Sequence, residues 1–268
     1  MRYAVISSTP DLLYAEFLPI TTLFWQRLDY QAICLLTDEA RWRSPAGKLI
    51  LKTLRELTPH VYFLSAVPSK KSSTVAQTAR LATAALDFEP DDYLLTADVD
   101  MFPFSSEWFH RQDPEASFHV FGADAYYPPL PRFPICYLSG TRQAWKSMMG
   151  IGEHGLQSEL EKLLHGEPDD WNTDEMLAGK KLIGWSKFKS CQLIDRGWHG
   201  FADRRLDRGY WDLNVNLDAL IDCHSVRPLL TNWDSIVKLV EHFLSARAES
   251  IVHQYVTKLK EACSIPTT

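Results

Sequence analysis

The order in which hydrophobic patterns alternate over the first hundred residues most constrains how this chain can fold. A short apolar run, Tyr3 to Ser8, ends in Ser-Ser-Thr-Pro-Asp, a turn that leads into a helical pattern from Leu12 to Arg27. Gln31 to Thr37 is strand-like, Ala46 to Leu57 helical, His60 to Val67 strand-like, and Ser73 to Leu86 a helical segment rich in Ala. The apolar run Tyr93 to Ala97 closes the series. Strands alternating with helices of about 10–15 residues predict a mostly parallel central sheet with helices on both faces, an α/β fold. Ligands of such sheets bind beyond the carboxyl ends of the strands.

The second half is less regular. Ser117 to Gly122 and Ile135 to Leu138 read as strands, separated by YYPPLPRFP (Tyr126 to Pro134). That segment is read as a stiff loop over the sheet edge rather than a polyproline ligand. Leu156 to Leu164 and Thr173 to Leu182 are helical patterns. From Trp233 to Ala262, Val240, Leu244, Ile251, Tyr255 and Leu259 form one apolar stripe, as expected of C-terminal helices docked on the core.

At 268 residues and 46% hydrophobic, the chain can bury a sizeable core. Its formal net charge of −6 argues against a general nucleic-acid binder. The five cysteines are widely spaced and contain no Cys-x-x-Cys pair, so neither a disulfide framework nor a zinc site is expected. Ser7, Ser8 and Thr9 interrupt any signal-peptide core. The most apolar stretch, Leu12 to Trp25, contains Glu16 and Pro19 and is too short to span a bilayer. The expectation is a cytoplasmic protein without a transmembrane segment.

The fourth strand runs directly into Asp98-Val99-Asp100. Two carboxylates this close repel unless something positive neutralises them, and a hard divalent cation, Mn²⁺ or Mg²⁺, does so while leaving positions for phosphate oxygens. The other possibility is a strand end that has merely reached solvent. A second signal is the repeated Asp-Arg-Gly-aromatic at Asp195 to Trp198 and Asp207 to Tyr210, within the Arg- and aromatic-rich stretch Arg196 to Asp212. That stretch fits either an acceptor-side loop or a core-capping loop held by Arg–Asp pairs.

This layout resembles the GT-A fold of nucleotide-sugar-dependent glycosyltransferases, nearest in landmark order to the family that includes glycogenin and bacterial galactosyltransferases. SSTPDLLYAEFLP resembles that family's opening strand and turn, YLSGTRQAW its sugar-site strand, WNTDEMLAG its acidic-pair helix start, and DCHSVRP its late His–basic–Pro element. The resemblance implies one catalytic domain over 1–268, with a nucleotide-binding half (1–105), an acceptor and sugar half (106–230) and a C-terminal helical segment (231–268). It also implies a metal-dependent transfer of sugar from a nucleotide-sugar donor, a UDP-sugar, to a saccharide or glycoconjugate hydroxyl, with a lean toward retention of configuration.

On that resemblance Asp98, Asp100 and His224 would ligate Mn²⁺ or Mg²⁺. Ser7, Ser8, Asp11, Tyr14, Arg80, Asp98 and Arg227 would hold the nucleotide, Arg227 gripping the diphosphate. Asp174 and Glu175 would be the catalytic carboxylates, one orienting the donor sugar and the other assisting the acceptor hydroxyl; helix capping alone would also account for an acidic first turn. Other phosphate-handling α/β enzymes fit less well. A haloacid-dehalogenase-type phosphatase carries Asp-x-Asp after its first strand, and no Gly-x-Gly-x-x-Gly turn for a dinucleotide is present. From another class, a nucleotide- or carbohydrate-binding protein without turnover could share the fold.

Overall fold

The computed structural model describes residues 1–110, 115–195 and 204–264. Its first half alternates as the sequence predicts. The strand β1 (Arg2–Ser8) leads through α1 (Leu12–Ala15) and α2 (Leu18–Arg27) to β2 (Gln31–Thr37), α3 (Pro45–Leu57), β3 (Val61–Leu64), α4 (Ser72–Ala82) and β4 (Tyr93–Ala97). A turn at Asp98–Asp100 connects β4 to β5 (Met101–Pro103), followed by α5 (Ser106–His110), β6 (Phe118–Phe121) and β7 (Leu138–Thr141). Then come α6 (Arg142–Met149), α7 (Leu156–Leu164), α8 (Thr173–Ile183), β8 (Cys191–Ile194), β9 (Arg205–Asp207) and β10 (Asp222–His224). The chain continues into α9 (Trp233–Phe243) and α10 (Ala246–Ser264).

Among the described residues, seven strands form the main sheet in the order β3-β2-β1-β4-β7-β6-β8. The first four are mutually parallel; β7 is antiparallel to both β4 and β6, and β8 is parallel to β6. Both faces are covered, which is why the strands read as continuous apolar runs. Ala4 and Ile6 of β1 enter one core with residues of α2, α3, α9 and α10. Tyr3 and Val5 enter the other, with residues of α4, α6, α7 and α8. The twofold alternation of side chains along β1 thus divides two cores between the faces of one sheet.

Two expectations are corrected, and one element was not foreseen. Leu12 to Arg27 is not one helix: Pro19 sits at the start of α2, where its missing N–H is harmless, whereas inside a continuous helix it would clash with the preceding turn. The strand expected at Ile135 to Leu138 is instead Leu138–Thr141. Ile135 and Tyr137 are buried in the cores as loop residues, so their apolarity marked burial and not strand. Finally, β5, β10 and β9 form a second, three-stranded sheet whose three-residue strands are too short to show a periodicity. The Pro-rich segment, Tyr126 to Pro134, carries neither helix nor strand, as the loop reading expects. It rests on α8 at Gly179, where an added Cβ would lie 2.1 Å from the Pro131 carbonyl oxygen.

Candidate functional site

Chain order around β1 and β4 fixes where a ligand can bind. From β1 the chain steps outward through β2 and β3, then returns to place β4 on the other side of β1. This reversal is a topological switch point, and it opens a crevice beyond the carboxyl ends of the two strands. Ile6 of β1 is in register with Ala97 of β4, so Ser7 and Ser8 end beside Asp98. A cavity of about 430 Å³ opens there. Ser7, Ser8, Asp11, Tyr14, Arg80, Asp98, Asp100, Asp174, Glu175, His224 and Arg227 all line it, so the structure brings together every site residue named from the sequence.

His224 reaches the site through the small sheet. Antiparallel pairing of β5 with β10 sets His224 opposite Met101, and the Ser225 N–H donates to the Asp100 carbonyl at 2.8 Å. His224 Nε2 then lies 3.5 Å from Asp100 Oδ2, although 124 residues separate them in sequence. Arg227 Nε is 3.4 Å from the same oxygen, and its guanidinium lies over the Tyr14 ring, 4.4 Å from the centroid. Burial pushes the Asp100 carboxyl up. The hydrogen bond and charge of His224, followed by Arg227 and Arg208, outweigh that and hold it below the usual carboxylate range.

A second ion-paired group involves Arg80, whose side chain is only 4% exposed. It donates to the Ala97 carbonyl at 3.0 Å, to Asp98 Oδ1, and to Asp174 Oδ2 at 3.2 Å. Burial opposes its charge, but Asp98 and Asp174 together keep its pKa above the ordinary arginine value. Asp174 is 2% exposed; burial raises its carboxyl and Arg80 offsets part of that rise. Glu175 is paired with Arg132 of the Pro-rich loop, and burial pushes its carboxyl up to about 6 despite this partner. The two neighbouring carboxylates therefore differ. Asp174 is fixed in a buried pair, while Glu175 is the more accessible of the two.

The metal ligands expected from the sequence line the same cavity, but they do not form a group whose ligand atoms all lie close together. Among the described residues, the group of three whose ligand atoms all lie within 4.8 Å of one another is Glu241, Glu249 and His253, on the C-terminal helices. Asp98, Asp100 and His224 nevertheless fit a divalent cation in donor chemistry, with hard carboxylate oxygens and an imidazole lining one cavity. Asp11 has a local duty too: its side chain caps α1, accepting from the Leu13 N–H at 3.0 Å.

Sequence reasoning assigned no individual role to Arg208, which lines the cavity, or to Asp207 next to it in the chain. Arg208 lies 3.1 Å from Asp100 Oδ2, and Asp207 Oδ2 lies 3.4 Å from His224 Nδ1. The Asp-Arg-Gly-aromatic echo was the signal that could have found both. Of its first copy, Arg196 to Trp198 lie outside the described residues, as does Arg196 to Asp203 of the longer aromatic stretch. The rest supports the Arg–Asp capping reading: Arg205 makes a forked pair with fully buried Asp222, at 2.8 and 2.7 Å, tying β9 to β10. Trp171 also lines the cavity, at 62% exposure.

Glu16 anchors the segment carrying Arg227. Its carboxylate accepts from the Leu229 N–H, and its backbone carbonyl accepts from the Tyr255 hydroxyl at 2.8 Å. Burial raises this carboxyl from 4.5 to about 7. A carboxyl raised on folding contributes stability that is complete below its unfolded pKa and lost as pH climbs through its folded one, here between about 4.5 and 7. Glu16→Gln keeps the oxygen acceptor and removes the charge. It is expected to melt several degrees above the wild type at pH 8 and alongside it at pH 4.5. Thermal unfolding at the two pH values checks this, and equal melting at both would reject the assignment.

No protein-family model matches the chain, and no curated protein does. Solved structures do. The chain is similar to the glycosyltransferase GlyE of Streptococcus pneumoniae TIGR4, at 13% identity and a TM-score of 0.49, over 97% of this chain and 63% of that one. It therefore spans less than two thirds of the GlyE chain. It is similar to the galactosyltransferase LgtC, solved in complex with donor and acceptor sugar analogs, at 10% identity and a TM-score of 0.47, over 99% of this chain and 98% of that one. A mannosyltransferase from Pyrobaculum calidifontis, solved in complex with GDP-Man and Mn²⁺, is similar at 11% identity and a TM-score of 0.42, over 100% of this chain and 76% of that one. None of the three is close enough to carry residue roles across.

Proposed function

We propose that the cavity binds a nucleotide-sugar, a UDP-sugar, together with a divalent cation, and that the protein transfers the sugar to a saccharide or glycoconjugate hydroxyl. One observation carries this reading. A carboxylate at the end of a central parallel strand, an imidazole and a guanidinium from far along the chain meet at the switch-point crevice. Such a site suits a ligand that is itself strongly anionic.

The transfer breaks the bond between the sugar's anomeric carbon and the diphosphate, so negative charge grows on the leaving oxygen. Asp98, Asp100 and His224 would hold Mn²⁺ or Mg²⁺, which when bound supplies a Lewis acid for that charge. Arg227 would add a fixed positive group with two parallel donors, already desolvated and oriented by the Tyr14 ring. Asp11, Ser7 and Ser8 supply polar groups at the adjoining wall for the nucleoside. Arg80 would keep Asp98 and Asp174 in place, leaving Asp174 to orient donor hydroxyls. Glu175, ionised above about pH 6, would take the proton of an incoming hydroxyl.

Calorimetric titration of UDP tests the reading, first with Mn²⁺ and then with EDTA. Tight binding with the metal and binding weakened at least about tenfold without it is the expected result. Failure of UDP, GDP, CDP and dTDP alike would overturn it. Metal-dependent UDP binding without transfer or hydrolysis of any UDP-sugar, across a range of saccharide acceptors, would make the protein a binder and not an enzyme.

A further inference from the structure

Two guanidinium groups and an imidazole share a single carboxylate oxygen. Arg208 Nη1 lies 3.1 Å, Arg227 Nε 3.4 Å and His224 Nε2 3.5 Å from Asp100 Oδ2. One carboxylate oxygen has two lone pairs, fewer than the donors these groups bring. Arg227 Nη1 is moreover buried with no hydrogen-bond partner among the described residues, and a buried donor left so is costly. Donors thus crowd Asp100 Oδ2, and Arg227 carries one more that no acceptor takes up among the described residues.

The two arginines differ in freedom. Arg227 is held by the Tyr14 ring and by the Glu16 anchor two residues on. Arg208 is the more exposed, at 37%, but its base is firm. It sits on a turn in which Asp207 accepts from the Gly209 N–H at 2.9 Å and the Tyr210 N–H at 2.8 Å, and β9 just before it is tied to β10 through Arg205 and Asp222. A fixed base with a long side chain that is the more accessible of the two suits a group that exchanges partners.

We infer that Arg208 is a second diphosphate-binding residue, working with Arg227 as a pair of guanidinium forks that give up Asp100 for phosphate oxygens when the anion enters. The inference rests on the donor-binding reading proposed above and extends it to a residue that the sequence resemblance did not assign. A guanidinium fork matches two oxygens of one phosphoryl group, so two forks match a diphosphate better than a monophosphate. Arg208 thus contributes to recognition of the diphosphate and not of the nucleoside.

The test is calorimetric titration of UDP, UMP and uridine into the wild type, Arg208→Ala and Arg208→Lys, with folding checked by thermal unfolding. Arg208→Ala is expected to weaken UDP by about 10–100-fold, the range for a lost charge-assisted hydrogen bond, and to change uridine by less than about twofold. Arg208→Lys restores only part of the loss, because an ammonium cannot fork. Equal weakening of UDP and uridine would overturn the inference, since Arg208 would then only shape the site. So would unchanged UDP binding in Arg208→Ala while the wild type binds normally. A wild type that binds no nucleoside diphosphate would remove the donor reading itself, a different outcome.

Discussion

Asp100→Asn is expected to lower sugar transfer by at least about 10²–10³-fold, the loss that follows removal of one pre-set electrostatic group in a catalytic site. The amide keeps the shape and one carbonyl oxygen but loses the charge on which His224, Arg208 and Arg227 converge. That charge is the hub of the wall: the Asp100 carboxyl stays below the usual range because these three neighbours prevail over burial. Without it, two guanidinium groups that share one anion face one another unneutralised, and the proposed cation site loses a ligand. The measurement is turnover of the best donor found by the UDP screen, beside the circular dichroism spectrum of the variant. A folded Asp100→Asn protein that transfers sugar at the wild-type rate would remove Asp100 from the mechanism. An effect on affinity for the donor with turnover unchanged would reassign it to uniform binding of ground and transition states.

How far the sequence disclosed this site depends on the range over which each signal acts. The β1–β4 half was legible because each strand and helix carries its own periodicity, and the order of strands and helices alone implies a parallel sheet with its binding edge beyond Ser8 and Ala97. The meeting of His224 with Asp100 was foreseen from a family resemblance and not from local pattern. It is built by two three-residue strands, β5 and β10, that no periodicity could reveal. Arg208 was visible only as half of a short repeat. Its place depends on β9 pairing with β10 through Arg205 and Asp222, a contact 17 residues apart in sequence. Asp174 and Glu175 were named as a pair, but their unequal surroundings follow from burial. Arg80 takes one and Arg132 the other, and neither partner is near them in the chain. The metal trio remained a reading of residue types, since Asp98 is engaged by Arg80 and Asp100 by the opposite group of cations.

Arg80→Met is expected to destabilise the protein by about 3–5 kcal/mol, the range for removing one partner of a buried ion pair. Methionine fills much of the same space, so the cost is chiefly electrostatic. Asp174, 2% exposed, would keep a carboxylate with no cation beside it, and the Ala97 carbonyl would lose the donor now at 3.0 Å. Urea unfolding at pH 7.5 measures the loss as a fall in midpoint at unchanged slope. The deficit should shrink as pH falls, with the sign fixed by linkage. A buried carboxyl raised on folding adds stability below its unfolded pKa and loses it as pH rises, and Asp174, already raised by burial, would rise further without Arg80. A double variant separates scaffold from site. Arg80→Met with Asp174→Asn removes both charges and should recover more than half of the lost stability, because most of the cost of the single change is the stranded carboxylate. It should not recover UDP binding, because Asp98 remains without the group that now holds its Oδ1. Recovery of both would make Arg80 a packing residue with no part in the site. An Arg80→Met protein as stable as the wild type at pH 7.5 would mean that the Arg80–Asp174 pair adds nothing over an apolar replacement.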